Sequence, residues 1–142
     1  MTTFLIPADG SSYSDRAVQY AIGRVGQGSS ISTLHLLNVQ APLVSVNVKL
    51  FVSPDSLQTY YREEGEKALA SAHAAVRAAG LSATPHIGVG ETAQIIIDYA
   101  RDIRADEIVM GTHGRGMLAG SVMGSVAQKV VHRATTPVVL VR

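Results

Sequence analysis

The sequence predicts an α/β fold, a parallel sheet with helices on both faces, and three observations lead there. Strand-like and helix-like stretches alternate along the chain in the order β-α-β-α-β-α-β-α-β, and such alternation implies crossover connections and a parallel sheet. The strand-like stretches are nearly all apolar, as in Leu34-His35-Leu36-Leu37, the pattern of strands covered on both faces. A short polar turn, Asp9 to Ser12, follows the first of them, and a glycine-rich loop, Gly111 to Ser125, follows the fourth.

The elements follow in order. Thr3 to Ala8 reads as the first buried strand, with Pro7 near its end because proline cannot donate to a ladder. Asp9-Gly10-Ser11-Ser12 is a turn, and Ser12 with Asp15 resembles a capping box. Ala17, Val18, Ala21, Ile22 and Val25 keep helical spacing until Gly26 and Gly28. Ile31 to Val39 is the second strand. From Gln40 to Val52 the pattern is harder to read: Val44, Val46 and Val48 alternate with polar residues, as in a short edge strand or an extended loop, and a mobile loop is expected.

Ser53 caps the longest helix and Pro54 occupies its first position. Leu57, Tyr60, Tyr61, Ala68, Leu69, Ala72 and Val76 are expected on its buried face, with Gly80 closing it. Gly65 in its interior costs about 1 kcal/mol relative to alanine. Ala83 to Val89 is the third strand, and Pro85 assigns it to an edge. Gly90-Glu91-Thr92 opens a helix with an apolar stripe of Ile95, Ile96, Tyr99, Ala100 and Ile103. Glu107 to Met110 is the fourth strand. Val126, Val130, Val131 and Ala134 mark the last helix, and Pro137 to Val141 the fifth strand.

Composition narrows the function classes. At 142 residues the chain reads as one domain, residues 1–142. With 46% apolar residues it can bury a core. A net charge of +1 offers no basic face for nucleic acid. Cysteine is absent, so there is no thiol nucleophile and no thiolate metal site. No run approaches the roughly 18 apolar residues of a membrane span, and Met1-Thr2-Thr3 leads directly into a strand without a leader pattern. A cytoplasmic protein without membrane insertion is expected.

The stretch from Gly111 to Ser125 carries the chemistry. Its glycines stand at 111, 114, 116, 120 and 124, between an apolar strand and a helix. Amides at a helix start have no internal partner and carry partial positive charge, so the arrangement attracts phosphate. Glycine-rich corners of this kind also occur simply as tight turns, and two familiar nucleotide patterns do not fit. Gly111 to Gly116 has P-loop spacing, but Met117 replaces the required lysine. Gly114 to Ala119 fits a dinucleotide fingerprint, yet no acidic residue follows it to hold a ribose. Gly88 to Ala93 fits as well, with Asp106 at a suitable distance but ahead of a strand instead of at its end.

A further pattern, Gly111-x-x-Gly114, nine residues, then Gly124-Ser125, resembles the ATP-binding signature of the universal stress protein family. The resemblance extends to Leu5-Ile6-Pro7-Ala8-Asp9-Gly10-Ser11, Leu34 to Val39, Ala105 to Gly111 and Pro137 to Val141. It implies a Rossmann-like fold, similar to adenine nucleotide alpha hydrolases, with strand order 3-2-1-4-5. It further implies an adenosine near Pro7, Ala8 and Asp9, with Asp9 on adenine or ribose. Val39 would meet the adenine through its backbone, and Met110, Gly111 and Gly114 would border the ribose. Arg115, Gly116, Gly124, Ser125 and Val126 would surround the phosphates.

The residue types agree with those assignments. Ser125 adds a hydroxyl donor to the helix start, and Arg115 can neutralise phosphate or stand as a solvated loop charge. Asp9 can instead be a plain turn residue. His113 is a lone loop histidine, more often neither base nor ligand. His35, His73, His86 and His132 show no metal-ligand spacing. No residue is assigned a catalytic role. The expectation is an ATP-binding sensor or adaptor in a stress response, with AMP as the alternative ligand and Mg²⁺ open. Its partners would be an unidentified protein and a second copy of the chain, paired through Val138 to Val141. The competing readings are a slow nucleotide hydrolase and an interaction module that holds no nucleotide.

Overall fold

A computed structural model describes residues 1–28, 31–43, 52–114 and 123–142. The elements are β1 (Thr2–Pro7), α1 (Ser12–Gln27), β2 (Ser32–Gln40), α2 (Pro54–Ala78), β3 (Ala83–Val89), α3 (Thr92–Asp102), β4 (Glu107–Gly111), α4 (Ser125–Arg133) and β5 (Val138–Val141). The strands form one five-stranded sheet in the order β3-β2-β1-β4-β5, and every pairing is parallel. β1 is central. It runs beside β2 from Thr2 opposite Ser32 to Pro7 opposite Leu37, and beside β4 at Phe4 and Leu5.

Alternation along the strands builds two cores. Phe4, Ile6, Leu34, Leu36 and Val109 face one side, where α1 brings Ala17, Val18 and Ala21 and α2 brings Leu69, Ala72 and Val76. Leu5, Leu37, Ile108 and Met110 face the other, against Ala93, Ile96 and Ala100 of α3 and Ala127 and Val130 of α4. Leu5, Ile6, Leu36, Leu37 and Ile108 are among the fully buried side chains, which is why these strands read as continuous apolar runs. Pro85 lies in β3, which pairs only with β2, as its missing donor requires.

Gly65 has a structural reason. A Cβ there would lie 2.7 Å from Ile87 on β3, so the glycine lets α2 sit close against the sheet edge. Its helix-propensity cost is offset by that approach.

Several local expectations need correction. The N-cap of α1 is Ser11, whose side chain accepts from the Ser14 amide at 3.3 Å. Ser12 is already helical, and Asp15 accepts from Ser71 Oγ at 2.7 Å, tying α1 to α2 instead of closing a capping box. Tyr60 is 45% exposed, and its neighbour Tyr61 takes the position beside Ile87 and Val89 of β3. Val131 is likewise exposed, and Ala127 takes its expected place in the core. Asp106 accepts from the Thr3 amide at 2.7 Å and donates to the Thr3 carbonyl at 2.8 Å. It clamps the amino ends of β1 and β4, so it cannot serve a dinucleotide at the opposite end of the sheet. Within the 40–52 segment, Gln40 belongs to β2 and the Leu43 amide donates to Tyr61 Oη at 2.7 Å. The expected mobile loop at 44–51 lies outside the described residues.

Candidate functional site

The chain leaves β1 toward β2 on one side and returns to β4 on the other. That reversal opens a crevice at the carboxyl ends of β1 and β4, where α/β sheets hold ligands. A cleft of about 600 Å³ occupies this position, within the range of small-molecule sites. Pro7, Ala8, Asp9, Val39, Met110, Gly111, Gly114, Gly124, Ser125 and Val126 all line it. Of the residues expected to bind ligand, only Arg115 and Gly116 are missing from this lining, because they lie outside the described residues.

The turn after β1 is built by its own short polar residues. Asp9 Oδ1 accepts from the Ser11 amide at 2.9 Å, an Asx turn. The Asp9 amide donates to Ser14 Oγ at 3.3 Å, and Ser14 Oγ donates to the Ser11 carbonyl at 3.1 Å. From β2, Asn38 Nδ2 donates to the Ala8 carbonyl at 2.9 Å. Asp9 is thus held at the tip of β1 facing the end of β4.

Across the cleft, the glycines are required by proximity. A Cβ on Gly114 would sit 2.7 Å from Asp9 Oδ2, and one on Gly124 would sit 3.2 Å from the Thr112 carbonyl oxygen and 3.3 Å from His113 Cα. These contacts join Asp9, Gly114 and Gly124 into one continuous wall. Gly124 is the N-cap of α4 in extended geometry, and no side chain caps the helix. Gly124 itself offers no unpaired amide to a ligand: its N–H donates to the Thr112 carbonyl at 2.7 Å. The unaccepted donors are one step further on. The amides of Ser125, Val126 and Ala127 take no acceptor among the described residues, and all three residues line the cleft. Their N–H groups and the positive end of the helix dipole face it together.

The lining is apolar below and polar at the rim. Leu37, Val39, Ile96 and Met110 form an apolar floor suited to a flat ring, and Thr92, His113 and Gln128 border it. The sequence reading missed Ser14, Leu37, Asn38, Thr92, Ile96, Met123, Ala127 and Gln128 among the lining residues. Asn38 had a signal, a polar residue in an otherwise apolar strand; Thr92 and Ile96 had none beyond membership of α3. His113 does line the cleft, with Nδ1 3.0 Å from Thr112 Oγ1 and its ring 5.0 Å from that of Tyr13. Asp9 is the one carboxylate among the described lining residues.

His35 and His86, separate in sequence, meet in space, with His35 Nδ1 2.8 Å from His86 Nε2. Tyr99 packs edge-on against His86. Burial pushes both imidazoles below their ordinary value, and for His86 the neighbouring His35 adds to it. The described residues contain no group of three metal-binding side chains, and no described helix is long and apolar enough to cross a membrane.

Comparison with known proteins agrees with this geometry. The model of the universal stress protein family matches residues 1–142. A universal stress protein of Thermus aquaticus is 32% identical over 149 aligned positions, covering 99% of this chain and 98% of its own. The structure of the universal stress protein UspA from Lactobacillus plantarum superposes with a TM-score of 0.80 over 99% of this chain and 97% of its own, at 21% identity. A universal stress protein solved in complex with cAMP superposes with a TM-score of 0.67 at 25% identity, covering 99% and 97% of the two chains. With the sheet order, the glycine-bordered cleft and the family match in agreement, this chain belongs to the universal stress protein family.

Proposed function

We propose that the chain is an ATP-binding sensor or adaptor, with the nucleotide held in the cleft between β1 and β4. The observation that carries this reading is the start of α4, where the amides of Ser125, Val126 and Ala127 face the cleft without an acceptor. An anion there gains hydrogen bonds and the favourable end of a helix dipole. The apolar floor of Leu37, Val39 and Met110 suits an adenine ring, with the Val39 backbone beside it. Asp9, across from α4, accepts from ribose or adenine, and Met110, Gly111 and Gly114 border the sugar. Arg115 and Gly116 complete the phosphate surround, and Gly124 shapes it without donating. The relative solved with cAMP supports an adenine nucleotide as the ligand class.

Binding outweighs turnover in this reading. A hydrolase needs a base positioned on a water, and Asp9, the one carboxylate among the described lining residues, is assigned here to the adenosine and not to the phosphates. A lone carboxylate does not make a protein metal site, so any Mg²⁺ would arrive with the triphosphate. The nucleotide would act by binding two conformations of the chain unequally, in the cytoplasm where ATP is abundant, and would change affinity for a protein partner. A second copy of the chain would pair along β5, whose residues Val138–Val141 are half-buried at the sheet edge.

Equilibrium dialysis with ATP, AMP and cAMP tests the proposal. Saturable binding of ATP, tighter than of AMP, is the expected result. Absence of binding at millimolar nucleotide would leave an interaction module, and steady turnover of ATP would make the chain a hydrolase.

A further inference from the structure

The turn that carries Asp9 is held by two buried side chains that also line the cleft. Asn38, 4% exposed, reaches from β2 to donate to the Ala8 carbonyl. Ser14, 5% exposed, reaches from α1 to accept the Asp9 amide. The orientation of Asn38 is fixed by its partners, since only Nδ2 can donate to a carbonyl and only Oδ1 can accept from Gln40 Nε2. Gln40 in turn accepts the Gly90 amide on its own carbonyl at 3.0 Å. A hydrogen-bonded path therefore runs from the β3–α3 turn through Gln40 and Asn38 to the peptide immediately before Asp9.

We infer that Asn38 and Ser14 are positioning residues for the nucleotide site: they act through Asp9 by fixing the backbone on either side of it. The inference rests on the cleft holding a nucleotide. Its physical basis is that a carboxylate contributes to ligand binding only if its geometry is set before the ligand arrives. The Asx turn to Ser11 orients the side chain, but it moves with the turn. Asn38 and Ser14 add side-chain ties to the sheet and to α1, beside the backbone bonds from the Ala8 amide to the Leu37 carbonyl and from the Asp15 amide to the Ser11 carbonyl.

The test is a double-mutant cycle on ATP affinity together with amide exchange of the unliganded protein. Asn38→Leu keeps volume and deletes both side-chain bonds. It is expected to weaken ATP roughly tenfold, the equivalent of one lost buried hydrogen bond. Combined with Asp9→Ala, it should cost no more than Asp9→Ala alone, because a residue acting through Asp9 has nothing left to position. Ser14→Ala, a milder change, should follow the same non-additive pattern and serves where Asn38→Leu folds poorly. In the unliganded protein, Asn38→Leu should accelerate exchange at the Ser11 amide while the β1 amides stay protected. Additive losses, or an unchanged ATP affinity in both single variants, would overturn the inference. Failure of the wild type to bind nucleotide would overturn the functional reading instead. The exchange measurement would then still decide whether the two side chains hold the turn, with unchanged Ser11 exchange ruling it out.

Discussion

The amide of Gly124 donates to the carbonyl of Thr112 at 2.7 Å. This bond closes the glycine-rich segment at its far end and places the first turn of α4 beside the tip of β4. It also means that the first amides of α4 without an acceptor among the described residues are those of Ser125, Val126 and Ala127, not that of Gly124. The role of Gly124 is steric: a side chain there would press on the Thr112 carbonyl and His113.

That geometry selects the variant that isolates the helix start. Gly124 has φ −70° and ψ 160°, the conformation a residue takes before proline, and Ser125 is the first helical position, where proline is tolerated. Ser125→Pro should therefore remove one amide and one hydroxyl while leaving α4 folded. ATP affinity is expected to fall by about 1–3 kcal/mol, with Ser125→Ala recovering part of it, measured by calorimetric titration. Gly124→Val would be a poor control, since it disturbs the segment itself.

The two histidines on β2 and β3 make stability depend on pH. Their folded pKa values are lowered by burial, and that of His86 also by His35. The unfolded chain then binds more protons in the range just below the ordinary histidine value of 6.5. Stability from this pair is fully present above that pH and is lost as pH falls toward the folded values. Tyr99 on α3 is the titratable group packed against the pair. Urea midpoints between pH 7.5 and pH 5, ranges chosen roughly around the histidine titration, should decline. The decline should flatten in His86→Phe, and an equal slope in that variant would place the pH dependence elsewhere.

Arg104 holds φ 54° just past the end of α3, where its amide bonds the Arg101 carbonyl and the Ala105 amide bonds the Ala100 carbonyl. This is a Schellman ending with a non-glycine residue at its left-handed position. Arg104→Gly should stabilise the protein by roughly 0.5–1 kcal/mol, the left-handed penalty less the backbone entropy of glycine. Thermal or urea unfolding would show it, and a destabilised variant would mean that the Arg104 side chain contributes more than its backbone costs.

Gly65 offers the reverse case. Gly65→Ala gains helix propensity of about 1 kcal/mol but drives a methyl into Ile87, and overpacking costs about 1–3 kcal/mol. Net destabilisation is expected in the wild type. In an Ile87→Ala background the same change should become stabilising. The sign reversal between backgrounds, read from unfolding midpoints, is the observation to seek.

Pairing along β5 has a backbone signature. The carbonyls of Pro137 and Val141 accept from Ile108 and Thr112, so these alternate residues face β4 while Val138 and Leu140 point outward. In a dimer joined at this edge the Val138 and Leu140 amides should exchange slowly, and sedimentation should give twice the chain mass. Rapid exchange at both amides would exclude that edge.

The sequence revealed most where local chemistry and tertiary structure impose the same pattern. Apolar runs marked the strands, Pro85 marked an edge, and the spacing of Gly111, Gly114 and Gly124 marked a wall of the cleft. Elsewhere the determining contact is distant. Ser11 and Ser12 are equally good caps by residue type, and the bonds to Ser14 and Asp9 decide between them. Tyr60 has core spacing, but Tyr61 next to it is the residue that meets Ile87 and Val89 of β3. His35 and His86 are 51 positions apart, and only the pairing of β2 with β3 brings them together. The strand order itself entered through family resemblance, because spacing does not say which strands are neighbours.

The central claim is that the start of α4 holds nucleotide phosphate opposite Asp9. Backbone amide chemical shifts followed by NMR during titration with ATP test it most directly. The account predicts that the largest shifts fall on Ser125, Val126 and Ala127, with Asp9 and Ser11 moving in step at the same ATP concentrations. Shifts confined to other surfaces, with the α4 amides unmoved at saturating ATP, would contradict it.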